Sequence, residues 1–426
     1  MLTAIRNSWA LLLGMFLLMV GNGLQGTVLG VRGDAEGYSG TMLGIVMSCY
    51  FIGFLGGTQA TPYLLRRVGH VRVFAALASL VSAAFILFAA IVDPIAWAVL
   101  RILVGFCFSG VYVCAESWLN DSATNETRGQ TMSAYVSAQM IGIIAAQGLL
   151  NVADPGQYEP FVIMSVLVSI SFAPILLSSS PVPMFESTRR MSLGNLIKAS
   201  PLGCVGMFLL GVIFACQFGM GAVYAANIGL SNLEISIFIG IIYLGGLVCQ
   251  PPIGWISDRV DRRLLIAAVT LAGSTACLIV PILGTSLIPL SIAAFIMGGA
   301  SNPLYSLVVA YVNDYLDHDD MASAAAGLVM LNGIGAMGAP FLVGYLMDTV
   351  GNNAFFFMMG ISFACVTTYA LFRMTQRAAT PVEETGPMVP MSMVVGQVAA
   401  DAAIELAIEQ AQEDTQDETA SEQRSA

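Results

Sequence analysis

Runs of about twenty apolar residues, each closed by a short polar or charged stretch, recur from the start of this chain to about residue 375. A helix needs about twenty such residues to cross a hydrocarbon layer of about 30 Å. The pattern predicts twelve spans, at roughly 8–31, 41–64, 71–92, 95–119, 131–152, 159–180, 202–227, 234–257, 264–286, 288–313, 322–347 and 353–374. Backbone groups in lipid must be satisfied within their own segment, so spans of this length are helices; barrel strands would be shorter and alternating. The expected fold class is an all-α membrane protein. The first run begins at Trp9, exceeds the apolar region of a signal peptide and lacks an A-x-A site, so no cleavable leader is expected.

Composition agrees with the pattern. A mean hydropathy of +0.80, with 57% hydrophobic and 10% charged residues, leaves too little polar surface to cover a soluble core. Basic residues then orient the spans. Fourteen of the sixteen fall on one side: Arg6, Arg66, Arg67, Arg72, Arg128, Arg189, Arg190, Lys198, Arg259, Arg262, Arg263, Arg373, Arg377 and Arg424. That bias places both termini and the loop after span six in the cytoplasm. Arg32 lies on the other side and Arg101 within span four.

The net charge of −11 is unevenly spread, because the tail from Gln376 carries ten acids and two arginines. Rich in Glu, Gln, Ala and Thr and lacking aromatics, residues 376–426 read as a mostly disordered cytoplasmic tail. Asp401, Glu405, Glu409 and Glu413 recur every four residues, a stripe that suits a protein contact better than an anionic membrane surface. The eight cysteines all lie within spans and read as small packing residues; His70 and His318 fall in loops without a ligand cluster, so neither a metal nor another cofactor is expected.

Internal similarity organises the chain further. At an offset of 193, "LVGFCFSGVYVCAESWLND" (103–121) lies over "IMGGASNPLYSLVVAYVND" (296–314), pairing Gly105 with Gly298, Tyr112 with Tyr305, Asn120 with Asn313 and Asp121 with Asp314. The same offset pairs Gln139 with Asn332 and Gly142 with Gly335. At 192, "PYLLRRVGHV" (62–71) lies over "GWISDRVDRR" (254–263), matching Arg67 to Arg259. The chain thus reads as two parallel six-helix repeats, 1–180 and 202–375, joined by a cytoplasmic linker at 181–201.

"GWISDRVDRR" resembles the cytoplasmic GxxxDRxGRR signature of the major facilitator superfamily. Gly254, Asp258, Arg259, Arg262 and Arg263 match, and Asp261 stands where the family usually has glycine. The first-half copy has Pro62 for the first glycine and Arg66 for the aspartate, while Arg67 and Gly69 are kept. Arg101 and Gly105 match a second signature, RxxxG in span four. "AESWLND", "TRGQTMSAY" (127–135) and "NPLYSLVVAYVND" are similar to the YcaD-like branch of that superfamily.

The resemblance implies the major facilitator fold and a central site between halves. It also implies a bacterial inner membrane location and a charge latch that forms when the cytoplasmic side closes. Asp258 is expected at the positive start of span eleven. Arg259, Arg262 and Arg263 would face Asp314 and its loop; Arg66, Arg67 and Arg72 would face Glu116, Asp121 and Glu126. Ordinary positive-inside arginines that fix topology are the plainer alternative.

Arg101 sits about seven residues inside span four, where an unpaired charge costs several kcal/mol. Family likeness suggests Asn22 and Gln25 of span one as its partners. It would bind an anionic group of a solute, respond to a proton, or simply tie span four to span one. Further cavity candidates are Tyr112, Gln139, Gln147, Gln217, Tyr224, Tyr243, Asn302, Tyr305 and Asn332, whose neutral amides and phenols suit a small polar or amphipathic solute. Spans one and seven contain no acid in this reading, which disfavours proton-driven export through a carboxylate in span one.

No enzyme signature is present, since the glycine-rich stretches lack a preceding strand and a GK[ST]. The expected function is a secondary active transporter that moves a small-molecule solute by alternating access, with a proton as candidate coupling ion. A transporter-like sensor signalling through the acidic tail is the alternative, and a passive channel a third. The expected partners are the lipid bilayer and the solute, with no nucleic acid, and the protein is expected to be a monomer.

Overall fold

The structure, a computed structural model, describes residues 2–122, 125–174, 192–316, 318–376, 386 and 388. All regular structure among them is helical. The first half contributes α1 (Leu2–Ala35), α2 (Gly40–Val68), α3 (His70–Ala90), α4 (Pro94–Ser122), α5 (Asn125–Leu149) and α6 (Glu159–Ser171). A short helix α7 (Leu193–Ala199) precedes span seven, which runs as α8 (Pro201–Ala215), a π turn (Cys216–Met220) and α9 (Gly221–Asn227). The second half continues with α10 (Asn232–Ser257), α11 (Arg262–Leu283), α12 (Leu287–Asn313), α13 (His318–Val350) and α14 (Ala354–Met374).

Eleven of the described segments are long and apolar enough to cross a membrane, and α6 is a shorter apolar helix within the expected sixth span. The sequence supplies the ends. Ser39 caps α2 by accepting from the Met42 N–H, and Ser231 with Glu234 forms a reciprocal capping box at α10. Five glycines at positive φ, Gly37, Gly69, Gly229, Gly284 and Gly351, close turns between spans.

Packing repeats as the sequence does. In the first half α1 packs on α5 and α6, α2 on α4, and α3 on α4 and α6. In the second, α8 packs on α13 and α14, α10 on α12, and α11 on α12 and α14. Close backbone approach explains the paired glycines. A Cβ at Gly105 would overlap the Tyr50 carbonyl of α2, and one at Gly298 would overlap the Ile242 carbonyl of α10, 192 residues on. Gly142 against Phe16 and Gly335 against Phe208 form a second such pair. The fold is therefore two parallel six-helix repeats.

The halves meet through α2 with α13, α5 with α10, and α1 with the π turn and α9. The first two pairings are each other's repeat equivalents, as a pseudo-two-fold relation requires. Polar contacts between halves cluster at the end of the bundle opposite the arginine-rich turns. There Asp348 of α13 accepts from the Gly40 and Thr41 N–H groups (2.8 and 2.7 Å) and from the Thr41 hydroxyl (2.6 Å). The Phe341 N–H donates to Ser48 Oγ (3.1 Å), and Asn151 Nδ2 donates to Ser236 Oγ (2.9 Å).

Candidate functional site

A cavity of about 490 Å³ lies between the halves, lined by Tyr50, Phe51 and Phe54 of α2, Phe214 and Phe218 of span seven, Tyr305 of α12, and Val329, Asn332, Gly333 and Ala336 of α13. Six of the ten are aromatic, and none is charged. Phe214 and Phe218 stack with centroids 5.8 Å apart, and Tyr50 meets Phe218 at 5.7 Å. Phe218 belongs to the π turn, where one extra residue per turn re-aims side chains. The carbonyl of Phe218 lies 3.2 Å from where a Cβ on Gly26 would sit, so spans one and seven cross against this wall.

Tyr305 and Asn332 are the two cavity residues the sequence singled out. The others serve nearby packing. Asn22 Nδ2 donates to Tyr112 Oη at 3.0 Å, and Gln217 Oε1 accepts from Ser301 at 3.1 Å. Asn302 bonds the Gly298 carbonyl of its own helix and fills the space above Gly246. Gln147 is held by Thr27 and the Gly23 carbonyl. Gln25, Gln139, Tyr224 and Tyr243 are buried, and both amide atoms of Gln25 lack a hydrogen-bond partner. Gln25 and Gln217 stand 192 residues apart and are thus repeat equivalents.

Arg101 does not reach span one. Its Nη2 donates to Met47 Sδ at 3.3 Å and its guanidinium lies over the Tyr50 ring, 4.7 Å from the centroid. The reason is the glycine seam: α4 packs backbone to backbone on α2, so the face bearing Arg101 and Gly105 looks at α2, not α1. Arg101 is fully buried, and its Nε and Nη1 have no hydrogen-bond partner.

Among the described residues, the second-half charged turn pairs within its own half and with the C-terminal segment. Arg262, 3% exposed, pairs with Asp314 and donates from Nη1 also to the Ala310 carbonyl (3.3 Å), from Nε to Ser257 (3.2 Å), and from Nη2 to the Gly386 carbonyl. Asp258 lies 3.6 Å from Arg262 and accepts from the Met388 N–H at 2.8 Å. Its expected place at the start of span eleven is therefore corrected: a piece of the C-terminal segment supplies the donor. Gly254 faces the same segment, with Met388 Cε 3.5 Å from a Cβ built there.

Among the described residues Arg259 makes no ion pair with the Asp314 loop. Arg259 lies over Trp255 (4.1 Å) and donates to its carbonyl, whereas Arg263 pairs with Asp261 at 2.8 Å. Burial raises the Asp314 carboxyl to about 6 although Arg262 pulls it down. For Asp261 burial also raises, but hydrogen bonds from Arg263 outweigh it and hold the carboxyl below the usual range.

In the first half Gly69 ends α2 at φ +82, a conformation its repeat equivalent Asp261 (φ −55) does not need; Asp261 instead caps α11 through the Arg263 N–H. This explains the departure from the expected glycine. Arg67 is exposed, and Glu116 is buried within hydrogen-bonding reach of Tyr135 in its own half (3.4 Å). His70, expected in a loop, begins α3 and is buried beside Ser117 at 3.0 Å. The side chains of Asp121 and Glu126 lie outside the described residues.

Two repeated six-helix bundles around a midplane cavity define a polytopic membrane carrier fold. The Major Facilitator Superfamily profile matches residues 11–226 and 202–404, and the chain belongs to that superfamily. It is similar to an uncharacterised MFS-type transporter, YcaD, of Escherichia fergusonii: 27% identical over 383 residues, covering 88% of this chain and 98% of the relative. The YcaD of Escherichia coli O45:K1 is 24% identical over 387 residues, covering 89% and 98%. Among solved structures, a mutant of the nucleoside transporter NupG superposes with a TM-score of 0.72 at 14% identity, covering 86% of this chain and 99% of that one. FucP in the outward conformation superposes with a TM-score of 0.57 at 16% identity, covering 87% and 99%.

Proposed function

We propose that the chain is a secondary active transporter that moves a small solute across the cytoplasmic membrane by alternating access, as a monomer. The observation that carries this reading is the cavity between the two halves, with the cross-half hydrogen bonds gathered at one end. By the positive-inside bias the arginine-rich end, with both termini, is cytoplasmic, so the shut end is the outer one. Segments 1–180 and 202–375 then rock about the cavity. The network around Asp258, Arg262 and Asp314 keeps the cytoplasmic end of the second half rigid while the halves separate. NupG is a nucleoside transporter and FucP a fucose:proton symporter, which supports a small organic solute and a proton as candidate coupling ion.

Locking the outer end tests the cycle. With cysteines at Ser48 and Phe341 in a background free of native cysteines, oxidation is expected to stop solute flux into proteoliposomes and reduction to restore it. Undiminished flux through the crosslinked protein would remove alternating access. A sensor signalling through the acidic tail is the second reading, favoured by the contacts of Gly386 and Met388 with Arg262 and Asp258.

A further inference from the structure

Arg101 is the charged group of the membrane core, among the described residues, that the packing leaves with unpartnered donors. It is 0% exposed, its Nε and Nη1 are unpartnered, and its single hydrogen bond goes to a thioether sulfur, a weak acceptor. The helix against which it lies, α2, carries no acid. Glu116 of its own helix is fifteen residues away, about 22 Å along the axis. An unpaired cation in so dry a place is costly and in membrane proteins marks a ligand path more often than a tie.

The neighbourhood indicates what would complete it. Tyr50 has two roles: its ring lines the cavity and carries the Arg101 guanidinium on its face. The Tyr50 hydroxyl lies beside Asn22 and Tyr112, neutral groups that it leaves if the ring turns. A change of the Tyr50 rotamer would bring the guanidinium to the cavity wall. The cavity itself offers rings and no charge, a lining that holds a flat apolar body through stacking.

We infer that the solute is an aromatic molecule bearing one carboxylate-type anion, its ring held by Tyr50, Phe218, Phe214 and Tyr305 and its anion paired with Arg101 once Tyr50 moves aside. This rests on the carrier reading above. An arginine fork matches a carboxylate in two parallel hydrogen bonds, and the two unpartnered nitrogens supply donors for it. An uncharged solute would leave the guanidinium unpaired throughout the cycle. The repeat equivalent of Arg101, Ala294, has no such group, so one anion is expected rather than two.

Equilibrium binding of radiolabelled benzoate to the full chain in nanodiscs tests the assignment. Benzoate is expected to bind saturably and to be displaced by indole-3-acetate, with benzyl alcohol and acetate each weaker by about ten-fold or more. Arg101→Gln is expected to lower benzoate affinity by about ten-fold or more while leaving benzyl alcohol unchanged; Phe218→Ala weakens both. Should Arg101→Gln fail to fold, Arg101→Lys serves, keeping the charge and losing the fork, with an intermediate loss.

The assignment is overturned if benzoate does not bind, if benzyl alcohol or acetate competes as well as indole-3-acetate, or if the Arg101 variants bind benzoate as the parent does. Binding without counterflow in proteoliposomes would remove the carrier reading and leave the site. Flux of an uncharged solute with benzoate inert would do the reverse.

Discussion

Asp314 shows how one residue couples charge to packing. Its carboxyl is buried at the end of α12, and burial outweighs Arg262 in setting its affinity for a proton, raised from an ordinary value of 3.8 to about 6. The packed state therefore binds the proton more tightly than an opened or unfolded one, and its advantage is lost as pH rises through about 6. Asp261, held low by Arg263, loses its contribution only well below that window. The purified protein is expected to be more heat-stable at pH 5 than at pH 7, by about 2–4 °C for each kcal/mol involved. Thermal midpoints at the two pH values should differ less for Asp314→Asn; an equal difference would show that other groups set it.

At the scale of elements, the crossing of α2 and α13 controls the shut end. Asp348 stands at the N-terminus of α2, where the orphan Gly40 and Thr41 N–H groups and the positive end of the helix dipole favour a carboxylate. Its three hydrogen bonds cross from one half to the other, so they exist in one arrangement of the halves and not in one that opens this end. Losing a helix cap costs about 0.5–2 kcal/mol, enough to change the balance of two states by about two- to thirty-fold. Asp348→Ala is expected to lengthen the distance between spin labels at Glu36 and Val350 in a larger fraction of molecules. An unchanged distance distribution would show that apolar packing alone shuts this end.

Across the whole molecule, charge and cavity act at different depths. The rings sit where the halves meet, whereas the arginine network around Arg262 stitches α10, α11 and α12 of one half and takes in Gly386 and Met388 from beyond the last span. Deleting residues 380–426 removes that segment and leaves the cavity intact. A cysteine at Gly254, in a background without native cysteines, is expected to react faster with a maleimide in the truncated chain, while solute flux persists. Flux lost with truncation would place the tail inside the transport cycle.

Much of this was determined by the sequence alone. Twelve spans, a duplicated half and the charged turns follow from hydropathy and offset, because lipid admits only self-satisfied helices and a repeat leaves equal residues at equal places. Tertiary structure decided what the spans do with their polar and aromatic groups. Nothing in the sequence sets Tyr50, Phe54 and Phe218 apart from other rings of the spans, and only the meeting of α2, α13 and the π turn leaves space beside them. Arg101 could be found in the chain but not its neighbours, since Gly105 and Gly53 seat α4 on α2 by a backbone contact whose direction no periodicity encodes. Asp348 falls just past the predicted span at 322–347, and only the fold sets it on the first turn of a helix 308 residues away.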